Sequence, residues 1–331
     1  MTDTPLVTAG DEPSLAPERV PLLVANDLTK TFGNGVRAVD GVSLVVHAGE
    51  TVGLVGESGC GKSTTAKMIL RLLGTDSGTL HIDGQDLLAL RGKQLRAMRA
   101  RMQLVPQNPQ TSFNPRLSIH SSIEFNLRAH GVARQARPQR VLDALERVGM
   151  PAAYARRYPH ELSGGQLQRA AIARALVTDP ELIVCDEAVS ALDKSIQAQV
   201  LNLLVELQAD LGVAYLFISH DLSVVEHLSD RVIVMYLGRV VEEASASDLW
   251  RTPRHPYSEA LLSAAPQSGR TRIMLSGDPP SPTSPPSGCT FRTRCPVALD
   301  ACGEARPPLL AVGSSHYAAC IRANPGTAPS G

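Results

Sequence analysis

The stretch GLVGESGCGKSTT, Gly53 to Thr65, constrains this chain more than any other. It contains G-x4-G-K-S from Gly56 to Ser63, with the apolar run Thr51–Val55 before it and a helix-forming segment after it. Strand, glycine-rich loop and helix in that order make a phosphate-binding loop. Glycines at 56, 59 and 61 let backbone N–H groups curl around phosphate oxygens, where a side chain would clash or forbid a positive φ. The start of the following helix adds partial positive charge. Lys62 is placed to reach the β- and γ-phosphates, and the Ser63 hydroxyl to ligate Mg²⁺. Glu57, Ser58, Cys60 and Thr64 complete the loop. The expected ligand is ATP with Mg²⁺.

Composition narrows the setting. With 331 residues, 43% of them apolar, the chain has enough material for one large domain and an appendage. Lys plus Arg equals Asp plus Glu, 32 each, so no global basic field speaks for nucleic acid. The opening MTDTPLVTAGDEPSLAPERVP carries prolines and acids where a signal peptide needs a basic start and an apolar run. No window approaches the roughly 18–20 apolar residues that span a bilayer. The expectation is a soluble, cytoplasmic chain.

Residues 1–20 read as a flexible tail and 21–265 as a globular unit. The β-rich runs LLVANDL, VSLVVHAG and TVGLVGE lead into a helix over about 62–73, followed by the strand and turn GTLHIDGQDL. Residues 109–162 have helical period and are rich in Arg and Ala. Helix 165–177, strand 181–185, helix 194–210, strand 213–218, helix 221–228 and the hairpin VIVMYLGRVVEEA follow. Strands alternating with helices predict an α/β core. GDPPSPTSPPSG (277–288) reads as an extended Pro/Ser linker that sets a C-terminal extension, 266–331, apart from the core.

A phosphate loop alone leaves the class open. LIVCDE (182–187) is an apolar strand ending in two carboxylates. Beside the loop, Asp186 is positioned to hold Mg²⁺ and Glu187 to polarise an attacking water as general base. LSGGQLQRAAIARAL (162–176) decides the class. Ser163, Gly164 and Gly165, followed by Gln166 at a helix start, offer a hydroxyl and free N–H groups as a second anion site. One chain has no use for that site beside its own loop. Two chains facing head to tail do, each closing the other's nucleotide.

With these residues the sequence resembles the ATP-binding-cassette (ABC) ATPases, and 162–166 is their signature. The resemblance continues in order along the chain. Gln107 in LVPQNPQ matches the Q-loop, SALD (190–193) ending in Asp193 the D-loop, His220 in LFISHD the switch histidine, and Phe32 in LTKTFG the aromatic that stacks on adenine. It implies a RecA-like core with an antiparallel β subdomain and an inserted helical subdomain. It further implies that Gln107 couples the Mg²⁺ site to membrane subunits and that His220 contacts the γ-phosphate. Two positions depart from the pattern: Ala188 stands where Pro usually follows the DE pair, and Lys194 where many relatives are apolar.

PQNPQTSFNPRLSI (106–119), TPRHPYSEALLSAAP (252–266) and the C-terminal extension resemble the ATPase subunits of oligopeptide/dipeptide permeases, closest to the second ATPase of the usual pair. This implies two membrane permease subunits, a second ABC ATPase (a sibling or another copy), an extracytoplasmic binding protein acting indirectly, and a place on the cytoplasmic face of the membrane. Similar relatives import nickel or glutathione, so these remain alternatives to peptide. A soluble ABC ATPase acting on nucleic acid or ribosomes is a weaker one, since the chain has one cassette and no net charge.

Four of the six cysteines, Cys289, Cys295, Cys302 and Cys320, lie in the extension as C-x5-C-x6-C-x17-C. A disulfide framework does not suit a reducing cytosol. Four thiolates suit either zinc or an iron–sulfur cluster. The spacing lacks the C-x2-C of small zinc modules, and Cys295 precedes Pro296 as in some cluster-binding runs. The resemblance implies [4Fe–4S], with zinc and unligated thiols as the alternatives. Cys60 and Cys185 fall inside nucleotide motifs and read as packing residues.

Overall fold

The computed structural model describes residues 20–265 and 269–324. The expected flexible tail, apart from Val20, lies outside the described residues. The central sheet has eight strands in the order β11-β12-β10-β9-β3-β8-β7-β6. They are β3 (Thr51–Val55), β6 (Met102–Val105), β7 (Leu182–Asp186), β8 (Ala214–Ile218), β9 (Arg231–Tyr236), β10 (Arg239–Ser245), β11 (Leu310–Gly313) and β12 (His316–Ala318). The run β9-β3-β8-β7-β6 is parallel. Its sequences show why: TVGLV and AYLFI are buried at every position, as strands covered on both faces must be.

Successive side chains of these strands feed two cores. Val52, Leu54, Leu216, Ile218, Ile233 and Met235 point to one face. Tyr215, Phe217, Val232, Val234 and Tyr236 point to the other. A four-stranded antiparallel sheet closes the first core: β2 (Arg37–His47), β1 (Pro21–Thr31), β4 (Ser77–Ile82) and β5 (Gln85–Asp86), in that order. It packs there with α1 (Lys62–Ile69), which contributes Ala66, Met68 and Ile69. The second core is closed by α6 (Gly164–Leu176), α7 (Lys194–Leu211) and α8 (Leu222–Leu228), and by the inserted helices α3 (Pro109–Ser112), α4 (Ile119–Ala129) and α5 (Arg137–Arg147). The separation of two sheets is the antiparallel subdomain that the family resemblance implied.

Several boundaries differ from the sequence expectation. The helix expected to 73 is regular only to Ile69, because Arg71 adopts φ +55 and turns the chain. Helix α2 (Gly92–Arg101) and strand β6 have no counterpart in the expected elements. MQLV is too short for its period to be read, yet it forms the sheet edge that aims Gln107.

The largest difference concerns the C-terminal extension. Beyond α9 (Ala246–Arg251) and α10 (Pro256–Ser263), the chain returns to the core instead of standing apart from it. Strand β12 pairs with β10, and β11 pairs with β12. Without them β10 would present an open edge of unpaired N–H and C=O groups. Phe291 is buried against Tyr236, Tyr257 and His255, with ring centroids 5.2, 5.3 and 5.8 Å away. Burying a ring of that size stabilises by about 2–3 kcal/mol.

A buried carboxylate fixes the joint. Glu242 on β10 is 0% exposed and accepts from the backbone N–H groups of Arg254 (2.6 Å) and His255 (2.8 Å). Its third partner is His316 Nε2 on β12, at 2.7 Å. Replacing His316 with Ala removes one partner from a carboxylate that water cannot reach. The expected loss is about 2–4 kcal/mol, measured by denaturant unfolding. Tyr317→Ala, on the outward face of β12, should cost less than about 1 kcal/mol.

Candidate nucleotide site

Strand β3 ends at Val55 and the loop turns at once. Gly56 has φ +150 and Gly61 φ +108. A Cβ on Gly56 would lie 2.2 Å from the Met235 carbonyl oxygen, and one on Gly61 2.2 Å from that of Ala38. The loop is pressed against both sheets, and only glycine fits at these two places. Lys62, only 5% exposed, folds its Nζ onto the carbonyl oxygens of Gly56 (2.7 Å) and Glu57 (2.9 Å), inside the loop's curl. Ser58 and Gly59 lie exposed at the tip, while Ser63 and Thr64 are half-buried in the first turn of α1. Cys60 is buried, and burial pushes its thiol up, so it remains a neutral packing group. Cys185 is buried and raised for the same reason.

Beside the loop, residues far apart in sequence meet. Ser63 Oγ donates to Asp186 Oδ1 at 2.8 Å. Burial raises the Asp186 carboxyl, and the adjacent Glu187 charge adds to this against the Ser63 hydrogen bond and Lys67 and Lys62. Glu187 accepts from Gln107 Nε2 at 2.6 Å on one oxygen, and its other oxygen lies 3.4 Å from His220 Nδ1. Its backbone is in the left-handed region, φ +49, anchored by an N–H bond to the Ile218 carbonyl at 2.9 Å. A non-glycine residue held there stores about 1 kcal/mol or more of strain, and such strain collects at functional sites. The hydroxyl, carboxylate and amide oxygens of Ser63, Asp186 and Gln107 form a hard donor set that fits Mg²⁺. Among the described residues no group of three or more His, Cys, Asp or Glu could hold a metal ion by itself. Mg²⁺ in a nucleotide site does not need one, since substrate phosphates and waters complete its shell.

The signature lies apart from this cluster. Ser163 caps α6, accepting from Gln166 N–H at 3.3 Å while Gln166 Oε1 accepts from Ser163 N–H at 3.0 Å. Both Ser163 and Gly164 are exposed. A Cβ on Gly164 would lie 3.6 Å from Leu192, and one on Gly165 2.5 Å from Ile196. The signature therefore packs on the D-loop and the first turn of α7, which Asp193 caps by accepting from Ile196 N–H at 2.9 Å. Phe32 sits at the end of the sheet, beyond β1, 40% exposed. Of the two departures, Ala188 is buried and Lys194 has a partner that the sequence did not disclose. Lys194 Nζ pairs at 2.7 Å with Asp221, joining the D-loop to the residue after the switch histidine. Burial opposes ionisation of Asp221, but hydrogen bonds from Lys194 and Ser223 prevail and hold its carboxyl down at about 2.

A family model described as ABC transporter matches residues 39–190. A putative peptide import ATP-binding protein of Brucella ovis is 50% identical over 312 residues, covering 92% of this chain and 98% of its own. The chain belongs to the ABC transporter ATP-binding proteins. The oligopeptide transport ATP-binding protein AppF of Bacillus subtilis is also 50% identical, over 86% of this chain and 89% of its own. Among solved structures, the ABC transporter component cbiO1 of Clostridium perfringens superposes with TM-score 0.64 at 28% identity, covering 70% of this chain and 91% of that one. An ATP-binding cassette solved as a dimer in a post-hydrolysis state with ADP and phosphate gives TM-score 0.62 at 29% identity, covering 68% and 98%.

This ABC ATPase also matches, over residues 241–302, the family model described as oligopeptide/dipeptide transporter, C-terminal region. That span holds Cys289, Cys295 and Cys302, and Cys320 follows it. The structure brings all four thiols to one cavity, lined also by Phe291, Arg292 and Arg322. The cavity is about 10 Å³, which is roughly the room one water needs. Burial pushes the Cys289 thiol up to about 11, with the neighbouring cysteines adding to it, and raises Cys295 as well. A cavity of this size does not fit a four-iron cluster as it stands: more space between the four sulfurs is needed. The convergence of the four is seen; a ready metal site is not. Among the described residues, no helix is long and apolar enough to cross a membrane.

Proposed function

We propose that the chain is the ATP-hydrolysing subunit of an importer for oligopeptides or dipeptides. The observation that carries the catalytic part is the meeting of Gln107, Glu187 and His220 at one carboxylate beside the phosphate loop. Lys62 exchanges its contacts with the loop carbonyls for the β- and γ-phosphates of ATP, and the glycine-flanked N–H groups cradle the rest. Phe32 offers its exposed ring to adenine. Ser63, Asp186 and Gln107 would hold Mg²⁺, which supplies charge neutralisation at the phosphates when bound. Glu187 orients a water and takes its proton, while His220 reaches the γ-phosphate. The exposed Ser163–Gln166 cap, with the Asp193 loop beside it, serves the nucleotide of a second ATPase facing it head to tail. This partner is a sibling subunit or another copy.

The peptide substrate is supported by the C-terminal region and by the relatives' names. That reading puts the chain on the cytoplasmic face of the membrane, beneath two permease subunits, with an extracytoplasmic binding protein selecting the cargo. Exposed Leu117, just before α4, and Phe125, within it, favour residues 109–160 as the permease contact. A metal at the four cysteines, [4Fe–4S] before zinc, stands as a second reading. It is carried by their convergence alone and requires the cavity to open.

Three outcomes check these assignments. Glu187→Gln should lower ATP turnover by about 10²-fold or more while Mg-ATP binding is retained; undiminished turnover removes Glu187 as the base. Deletion of residues 109–120 should abolish co-purification with the permease subunits and transport. A retained complex would sink the docking assignment. Anaerobic purification with iron, sulfide and zinc assays should give about four irons per chain if the cluster reading holds; zinc alone, or neither metal, overturns it.

A further inference from the structure

We infer that Arg294 is a positioning residue of the nucleotide site, through which the cysteine-bearing extension holds the phosphate loop by Glu57. The contact joins residues 237 positions apart. Arg294 Nη1 donates to Glu57 Oε2 at 2.8 Å, and Nη2 to Glu57 Oε1 at 3.1 Å. Two parallel bonds of this kind fix direction as well as distance. The arginine side chain is 8% exposed and the glutamate 29%, so the pair is shielded on the arginine side. Nη1 also reaches the Tyr236 hydroxyl at 3.4 Å. The backbone of the same glutamate is held too: its N–H donates to the Tyr257 hydroxyl at 2.8 Å.

The holding group is itself stiff. Tyr257 is wholly buried and packs on Tyr236 and Phe291, with centroids 4.7 and 5.3 Å away. Phe291 and Arg294 belong to one turn, closed by Arg294 N–H donating to the Phe291 carbonyl at 3.0 Å. Cys289 opens that turn, Cys295 follows it, and Cys289 N–H donates to the Cys302 carbonyl at 2.8 Å. The four-cysteine unit and the phosphate loop are thus one residue apart through Arg294.

Charge explains what the contact does. Glu57 is the residue after Gly56, in a loop that surrounds a polyanion. An unpaired carboxylate there repels the triphosphate and is free to swing toward it. Lys62 is occupied by backbone carbonyls and does not pair with it. Arg294 neutralises Glu57 and draws it to the rear of the loop, leaving the concave side to phosphate. The effect falls on binding, because neither residue touches the Gln107–Glu187–His220 cluster where water is activated.

This inference rests on the loop's being the ATP site, so wild-type protein and Lys62→Ala are measured first. Full-length protein is then assayed for Mg-ATP Kd, KM and kcat. Arg294→Met should weaken Kd and raise KM by about tenfold, with kcat within about twofold of wild type. Arg294→Lys, which keeps the charge but loses the fork, should be weaker by about two- to fivefold. Adding Glu57→Gln to Arg294→Met should bring Kd back to within about twofold of wild type, since no lone carboxylate remains. A merely structural arginine would not be rescued in this way. Arg294→Met with wild-type Kd, or a double variant as weak as the single, overturns the inference. If Arg294→Met does not fold, Arg294→Lys decides, and an unchanged Kd there overturns it equally. Wild-type protein that binds no Mg-ATP sinks the nucleotide reading itself, whereas wild-type binding with an indifferent Arg294 sinks only this one.

Discussion

Everything in the site hangs on the register of four parallel strands. Leu54 on β3 and Asp186 on β7 are both aligned with Ile218 on β8, and Val105 on β6 is aligned with Cys185 on β7. Each strand therefore ends at the same level of the sheet. Gly56 follows β3, Gln107 stands two residues past β6, Asp186 ends β7 with Glu187 next to it, and His220 stands two residues past β8. Ligands in open α/β sheets bind at the carboxyl ends of the strands. A slip of one residue in any pair would turn that strand's core face toward the wrong layer. The hydrophobic alternation that builds the two cores thus also holds Gly56, Gln107, Asp186, Glu187 and His220 in line.

The strained points follow from this alignment. Glu187 must leave a strand whose last partner is Ile218 and still face Gln107 and His220. It does so by taking φ +49, tied by its N–H to the Ile218 carbonyl. The loop meets a similar demand with glycine, because Ala38 and Met235 carbonyls crowd it from both sheets. Glycine serves where backbone must pass close.

The sequence displayed the local parts of this design and hid the distant ones. The phosphate loop, the DE pair, the signature and the period of α6 and α7 are contiguous patterns, each legible because neighbouring residues dictate it. Strand β6 was not legible, being four residues long behind an Arg-rich helix. Lys194 looked like a departure until Asp221 stood beside it. The structure departs most from the sequence pattern at the extension. Its prolines signal an irregular segment correctly, but nothing local says where the chain goes afterwards. That depends on the open edge of β10, on a buried Glu242 awaiting His316, and on a pocket between Tyr236 and Tyr257 for Phe291. All three are long-range facts with no periodic trace.

These long-range contacts decide what the extension is. A segment tethered only by a linker has no mechanical access to the nucleotide site, whatever its cysteines hold. A segment that adds β12 to β10 is different, because β10 pairs with β9 and β9 lies beside β3, the strand that delivers the phosphate loop. The same turn that carries Cys289 and Cys295 places Phe291 under Tyr236, at the end of β9, and Arg294 against Glu57. Two routes therefore run from the cysteine unit to one loop, through the sheet and through a charge pair. The sheet route runs through the backbone ladders that join β12 to β10, β10 to β9 and β9 to β3. The charge pair is the adjustable one, because it acts on a carboxylate whose interaction with a polyanion changes when the nucleotide arrives.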